Sequence, residues 1–382
     1  MISRLCVLAL LAVSSVSAVP SPPSRLTTRG QFNGTRRYPS KVGKRCTGTI
    51  ASLDDVSDAQ ECTTIIINEF TVDAGETFTL NAADGATVTM AGDVTFAFQE
   101  WEGPLMVVEG NDITSGHTLN GLGEMYWDGQ GSSGGTTKPA PLLRINHDGG
   151  SFSNVVVLNS PGRATAIGGN GIVVSQITVD NSAGDEPNDM SDGQPAGKNT
   201  DGFDISADDV TVEDSVVMNQ DDCLAINRGT NIKFQNNQCS GGHGISIGSI
   251  DSDTTVSGVT ISGNTVSDSM QCFRIKTDAT ATDSTVSDVT YSDNKASGCQ
   301  EFGILITQSY PDALGTPGTG VVISGITWSG TNTVSVDDDA DRVDINCGST
   351  SSCSGTWDFS GLTVTGGNEG TILNADVSGG SF

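Results

Sequence analysis

Short apolar segments recur along this chain at intervals of roughly 20 to 35 residues, and this periodicity restricts its possible folds more than any other feature. One set reads ITVDNS (177–182), VTVEDS (210–215), IKFQNN (232–237), VTISGN (259–264), VTYSDN (289–294) and ITWSGT (326–331). A second set alternates with it: FDIS (203–206), LAIN (224–227), ISIG (245–248), FRIK (273–276) and ILIT (304–307). Each segment places apolar residues at every second position between Gly, Asn, Asp or Ser, the pattern of short strands joined by tight turns. Two such sets in one register stack, each strand pairing with its own copy one coil later, which describes a parallel β-helix. A propeller blade, with four antiparallel strands in ~40 residues, fits less well. Aromatics are 5% of the 382 residues and Gly contributes 48, so a compact globule would be hard to fill. A solenoid with a narrow core of Val, Ile, Ser and Thr avoids that difficulty. The expectation is an all-β, single-domain solenoid. SLDDVSDAQEC (52–62), with Ser52 at a capping-box position, predicts a short helix closing its N-terminal end.

The first 45 residues read differently. Arg4, an apolar stretch over 5–13 and the small residues Val16-Ser17-Ala18 form a secretory signal peptide over 1–18. That stretch is too short to span a membrane and no later run is long enough, so an exported product without a membrane partner is expected. Residues 19–45 are rich in Pro, Ser and Arg and end at the dibasic Lys44-Arg45, which suggests a pro-segment before a catalytic domain over 46–382. The N-glycosylation signal Asn33-Gly34-Thr35 lies inside it. Eight of the 18 Lys+Arg and none of the 46 acids precede Cys46, so residues 46–382 hold 10 basic against 46 acidic residues, a formal charge of −36. Nucleic acid is excluded as a partner, and an acidic polymer would need a local cationic site.

The second set of segments carries the chemistry. Asp201 precedes FDIS, Asp222 precedes LAIN and His243 precedes ISIG, each 21 residues after the last. One coil of separation puts the three side chains in a column at ~5 Å per step. In FRIK, Arg274 and Lys276 are two apart and face the same way. Asp221 adjoins Asp222, and adjacent strand side chains point to opposite faces, so keeping both asks for a bend that turns both toward solvent. Like charges this close push at least one pKa upward, so one carboxyl keeps its proton while another is ionised. Glycosidic bond hydrolysis requires that pair of states, and the nearby cations suit a carboxylated sugar. Taken singly, each feature reads otherwise: the Asp pair as a solvated turn, the His as a turn residue, the three acids as a Ca²⁺ site. The column together with Arg-x-Lys argues for the catalytic reading.

These residues carry a resemblance. NTDGFDIS (199–206), NQDDC (219–223), GGHGISIGS (241–249) and RIKT (274–277) resemble, in order, the four signature blocks of the polygalacturonases, the family 28 glycoside hydrolases. EWEGPL (100–105), YWDGQG (126–131) and QSYPDALG (308–315) resemble further blocks, and the likeness covers most of residues 46–360. It implies a right-handed parallel β-helix that hydrolyses α-1,4 bonds of polygalacturonate with inversion, as a monomer and without cofactor or metal. By this resemblance Asp221 is the general acid, Asp201 and Asp222 hold and deprotonate the attacking water, and His243 orients the acid. Arg274 and Lys276 would bind galacturonate carboxylates, Tyr310 would pack on a sugar, and Asn199 and Gln220 would line the cleft. NQDDC resembles endo-acting members. The chain departs from the family pattern in lacking Gly-Gly-Arg after the His block, in Arg228, and in lacking a Cys pair after Cys353.

The competing functions are a pectate lyase, which would need Ca²⁺ and an Arg base, and a β-helix that binds pectin without cutting it. The lyase leaves His243 without a role, and a binding protein has no need to keep every acid. Eight Cys remain after Cys6 leaves with the signal peptide, and an even number in an exported chain points to disulfides. Cys46–Cys62 and Cys347–Cys353 are local candidates, and Cys223–Cys239 resembles a family pair. Cys272 and Cys299 remain, 27 residues apart, about one repeat, which predicts a bond between neighbouring coils.

Overall fold

The computed structural model describes residues 42–382, apart from 111, 112 and 115. The signal peptide, most of the pro-segment and Asn33 therefore lie outside the described residues. The described chain begins in strand β1 (Lys44–Ile50), so the expected processing site, Lys44-Arg45, already belongs to the sheet. A 3₁₀ turn and helix α1 (Val56–Ala59) follow, with Val56 and Ala59 buried. The capping interaction is the reverse of the expected one: the Asp55 carboxylate accepts from the Ser52 hydroxyl at 2.9 Å and the Ala51 N–H at 3.0 Å. The helix is shorter than 52–62 because the chain returns at once to strand β2 (Cys62–Ile67), which pairs parallel with β1.

From there parallel strands stack coil on coil into a right-handed β-helix. The second segment set stacks as its spacing requires. It lies on β3 (Phe203–Ser206), β4 (Leu224–Gln235), β5 (Ile245–Ile250), β6 (Thr265–Asp278), β7 (Lys295–Tyr310) and β8 (Asn332–Asn346). Phe203 aligns with Leu224, Leu224 with Ile245, Ile245 with Phe273, and Phe273 with Ile304.

The other expectations need two corrections. There are three ladders, not two. Val216–Asn219, Gln238–Gly241 and the first halves of β6 and β7 form a separate ladder whose mixed polar sequence hides its period. In addition, ITVDNS (177–182) belongs to that third ladder: Thr178–Asp180 pairs with Val216–Met218, whereas VTVEDS pairs with Val173–Ser175. Gln176, at φ 56°, turns the chain between two three-residue strands with the same alternation, so the pattern alone does not assign either to its sheet. The strands also lengthen toward the C-terminus, reaching 16 residues in β7.

The core is apolar throughout, and the few aromatics concentrate in it. Tyr291 stacks on Trp328 at 4.1 Å, and Phe273 and Phe359 close on the Trp328 ring from either side. At one corner a buried asparagine ladder carries the turn hydrogen bonds from coil to coil. The Asn264 N–H donates to Asn294 Oδ1 at 3.0 Å, and Asn294 Nδ2 donates to the Ile261 carbonyl at 2.9 Å. The Asn294 N–H donates to Asn332 Oδ1 at 3.0 Å. Asn294→Ala strands the Asn264 N–H and the Ile261 carbonyl, both on the preceding coil, each costing ~1–3 kcal/mol. Urea unfolding is expected to show a loss of ~3 kcal/mol; a loss under ~1 kcal/mol would mean water replaces the ladder.

All four expected disulfides are present: Cys46–Cys62, Cys223–Cys239, Cys272–Cys299 and Cys347–Cys353. Cys272 and Cys299 lie inside the long strands β6 and β7, with Cα atoms 5.6 Å apart. They join the coil of Arg274 and Lys276 to the coil of Tyr310.

Candidate active site

Asp221 and Asp222 occupy the corner between Val216–Asn219 and β4, outside any strand, so the strand rule of opposite faces does not apply to them. The bend places both on the cleft side, but neither turns out to bulk solvent: both are buried, Asp222 to 1% exposure. Asn219 fixes the corner, its Nδ2 donating to the carbonyls of Thr200, Asp221 and Asp222 at 3.0–3.1 Å. His243 reaches the site from a glycine turn. Gly242 and Gly244 adopt φ of 59° and 70°, and a Cβ on either would strike a carbonyl, of Asp221 or Gln271, at 2.1 Å. The sequence GGHG is therefore what allows His243 to lie against Asp221.

The carboxylates hold different partners. Asp221 Oδ2 accepts from Asn199 Nδ2 at 2.7 Å, and Oδ1 accepts from the Asp222 N–H at 2.8 Å and lies 3.0 Å from His243 Nδ1. Asp222 Oδ1 accepts from Ser246 Oγ at 2.7 Å and Arg274 Nη2 at 2.5 Å; Oδ2 accepts from Lys276 Nζ at 2.6 Å. Arg274 Nε donates to Ser246 Oγ at 3.1 Å, closing a ring of three groups, Asp222, Ser246 and Arg274. Lys276 Nζ also stands 5.1 Å from the centre of the Tyr310 ring.

Electrostatics divides the acids further. Burial and the charges of Asp221, Asp204 and Asp222 push Asp201 well above the usual carboxylate range. Burial acts on Asp221 in the same direction, but the His243 hydrogen bond and charge, and then Lys276, outweigh it and hold Asp221 below that range. A fourth acid, Asp204, is raised to about 6 by burial, against the pull of Arg163 at 3.2 Å. In the free protein the cluster's extra proton thus belongs on Asp201.

A group whose folded pKa is raised contributes stability below its unfolded value and loses it as pH rises through the folded one. Asp201, Asp204 and Asp344, the last also raised to about 6 by burial and Asp341, act in that direction. Asp221 acts in the opposite direction, and only toward strong acid. Unfolding free energy should therefore fall between about pH 4 and pH 7, and Asp204→Asn should flatten the slope. Urea titrations at both pH values test this; a stability rising toward pH 7 would overturn it.

The expected residues Asp201, Asp221, Asp222, His243, Arg274, Lys276, Asn199 and Tyr310 come together on one face. Gln220 does not join them. Its amide is spent on Thr200 Oγ1 (2.8 Å), the Asn181 carbonyl (2.8 Å) and Asp185 (2.9 Å), so it braces the 181–200 segment instead of lining the cleft. Asn199 does more than line it: its Oδ1 also accepts from the Ser132 N–H and hydroxyl, each at 3.0 Å, tying the 131–138 loop to Asp221. Sequence reasoning missed Ser246, Asp204 and Arg163. The column Asp204, Ala225, Ser246, Arg274 was available from the spacing and would have indicated the first two.

Asp221, Asp222 and His243 offer three ligand atoms within 4.8 Å of one another. A hard cation there would have to displace the Arg274 and Lys276 cations from Asp222, so the donor set does not fit Ca²⁺.

Residues 62–379 match the profile of the Glycosyl hydrolases family 28. The chain is 42% identical to the probable endopolygalacturonase A of Aspergillus kawachii, covering 97% of each protein. It is 43% identical to endopolygalacturonase A of Aspergillus niger over 90% of this chain and 93% of that one. Its fold superposes with TM-score 0.82 on endopolygalacturonase I of Stereum purpureum, a structure complexed with two galacturonate; the two are 48% identical over 87% of this chain and 99% of that chain.

Proposed function

The chain belongs to the family 28 glycosyl hydrolases, and on that premise we propose that it hydrolyses α-1,4 bonds inside polygalacturonate with inversion. The observation that carries the mechanism is the grouping of Asp201, Asp221 and Asp222 with Arg274 and Lys276 closed over Asp222. Asp221 protonates the leaving oxygen. Asp201 and Asp222 hold the attacking water and take its proton. Arg274 and Lys276 bind a galacturonate carboxylate, and Tyr310 packs beside it.

This assignment requires one proton to move within the cluster, since the free protein keeps it on Asp201. A substrate carboxylate on Lys276 weakens the charge that holds Asp221 low, and brings negative charge that raises it further. A water between Asp201 and Asp222 donates to Asp201 and relieves the burial that keeps it protonated. The proton then sits on Asp221, and two ionised carboxylates flank the nucleophile. His243, on Asp221 Oδ1, keeps the acid oriented.

Export as a soluble monomer, by a signal peptide over 1–18 and a pro-segment over 19–45, belongs to the same proposal. Among the described residues no helix is long and apolar enough to cross a membrane. N-terminal sequencing of the product tests the two cleavages.

The decisive experiment is digestion of polygalacturonate with EDTA present. A rapid fall in viscosity with mixed oligomers is expected, the new reducing ends appearing first as the β-anomer by proton NMR. An ultraviolet-absorbing unsaturated product would instead make the protein a lyase, and the α-anomer first would overturn inversion.

A further inference from the structure

Four carboxyls, not three, share the buried corner of the site. Asp204 pairs with Ala225 across β3 and β4, one coil apart, just as Asp201 and Asp222 are one coil apart. Asp204 therefore holds the position on its coil that Ala225 holds on the next, three residues beyond an acid of the cluster. Successive coils are about one strand spacing apart, ~5 Å. Ala225 is 3% exposed and Asp204 6%, so only a methyl group and no water layer separates Asp204 from the coil of Asp222. The reaction gives Asp204 no step, yet a buried carboxyl beside three others is costly unless a positive charge offsets it.

Arg163 supplies that charge. Its Nη1 lies 3.2 Å from Asp204 Oδ2, and the two side chains are 48% and 7% exposed. The pair thus runs from the cleft wall, which Arg163 lines with Asp201 and Lys198, to the buried end of the acid group. The register places the other charges around Asp204. Below it lie Ala166 and then, one further coil down, Arg144. Above Ala225 lie Ser246 and then Arg274, which is committed with Lys276 to Asp222. His243 is committed to Asp221, and Lys138 to Asp128 at 2.8 Å. Asp204 is left with Arg163 as its ion-pair partner among the described residues.

We propose that Asp204 is a positioning residue for the catalytic proton: ionised and balanced by Arg163, it keeps one proton on the group of Asp201, Asp221 and Asp222 while taking no part in bond cleavage. The inference rests on the functional reading above. Losing the group's last proton adds a negative charge beside Asp204, so an ionised Asp204 opposes the loss. The effect is mutual. The Asp204 charge helps to raise Asp201, and the charges of Asp222 and Asp221 help burial to raise Asp204 to about 6. As pH climbs through that value Asp204 ionises, and the hold tightens on the proton that the leaving oxygen needs. Arg163 sets the strength of the hold, because it offsets the charge that repels a further one.

The test is kcat/KM on polygalacturonate across the pH range for Asp204→Asn, Arg163→Gln and Arg163→Lys. The alkaline limb reports loss of the essential proton from the free protein. Asp204→Asn should move that limb to lower pH by about one unit, a hold on the proton about tenfold weaker. Arg163→Gln should move it to higher pH, since the Asp204 charge is then unopposed, and Arg163→Lys should restore the wild-type limb. A merely structural role gives no opposite displacements from two side chains in contact. Limbs unmoved in Asp204→Asn and Arg163→Gln, or moved in the same direction, would overturn the inference. Arg163 is half exposed, so Arg163→Gln should fold even where Asp204→Asn does not. Its limb alone then decides, an upward shift supporting the inference and any other result defeating it. A wild type that does not cut polygalacturonate would defeat the functional reading itself, whereas an active wild type with unmoved variants would defeat only this proposal.

Discussion

Asp221→Asn is expected to lower kcat on polygalacturonate by at least ~10²–10⁴-fold, the range of general acid catalysis. An amide has no acidic proton for the leaving oxygen. The structure also predicts a structural cost, because Asp221 is surrounded by donors: Asn199 Nδ2, the Asp222 N–H and His243 Nδ1. An amide accepts on one side only, so its NH₂ must face a donor. With the oxygen kept toward His243 and Asp222, the Asn199 contact is lost, at ~1–3 kcal/mol. Circular dichroism should show a folded protein with slightly reduced stability. A folded variant keeping more than about a tenth of wild-type kcat, well outside the expected range, would remove Asp221 from the chemistry.

Lys276→Ala should reduce both kcat and substrate affinity. Lys276 is positioned to bind the substrate carboxylate, so KM for the free-acid polymer rises, by ~1–3 kcal/mol in binding. It also grips Asp222 at 2.6 Å, and it is one of the charges that hold Asp221 low. Removing it lets Asp221 keep its proton to higher pH and leaves Asp222 with one cation in place of two. The rate profile should therefore move to higher pH while its maximum falls. Initial rates across the pH range, on substrates of low and high methyl esterification, separate the two effects. A change in KM alone, with the profile unmoved, would confine Lys276 to substrate binding. Wild type preferring the esterified polymer would contradict the binding role as well.

Much of this is legible in the sequence. The 21-residue spacing of Asp201, Asp222 and His243 gave the correct register because a parallel coil repeats its hydrogen bonding with its sequence. Cys272 and Cys299 paired for the same reason: one repeat apart in sequence is one strand apart in space. What misled was information held in turns. ITVDNS and VTVEDS look alike, and only the left-handed Gln176 sends one to a different sheet. Gln220 stands beside the catalytic pair in sequence, yet its amide turns back to Asn181 and Asp185.

The sequence by itself determined the solenoid, its register and the family of the site, because strand alternation and coil spacing are periodic and a period can be counted. Only the tertiary structure decided which acid keeps the proton, that Ser246 and two cations enclose Asp222, and that Asp204 fixes Arg163 in the cleft. The Asp222 contacts join residues 52 and 54 apart, across two coils, and the Arg163–Asp204 contact joins residues 41 apart on neighbouring coils. They depend on burial and on charges from several coils acting on one point, and neither quantity is periodic along the chain.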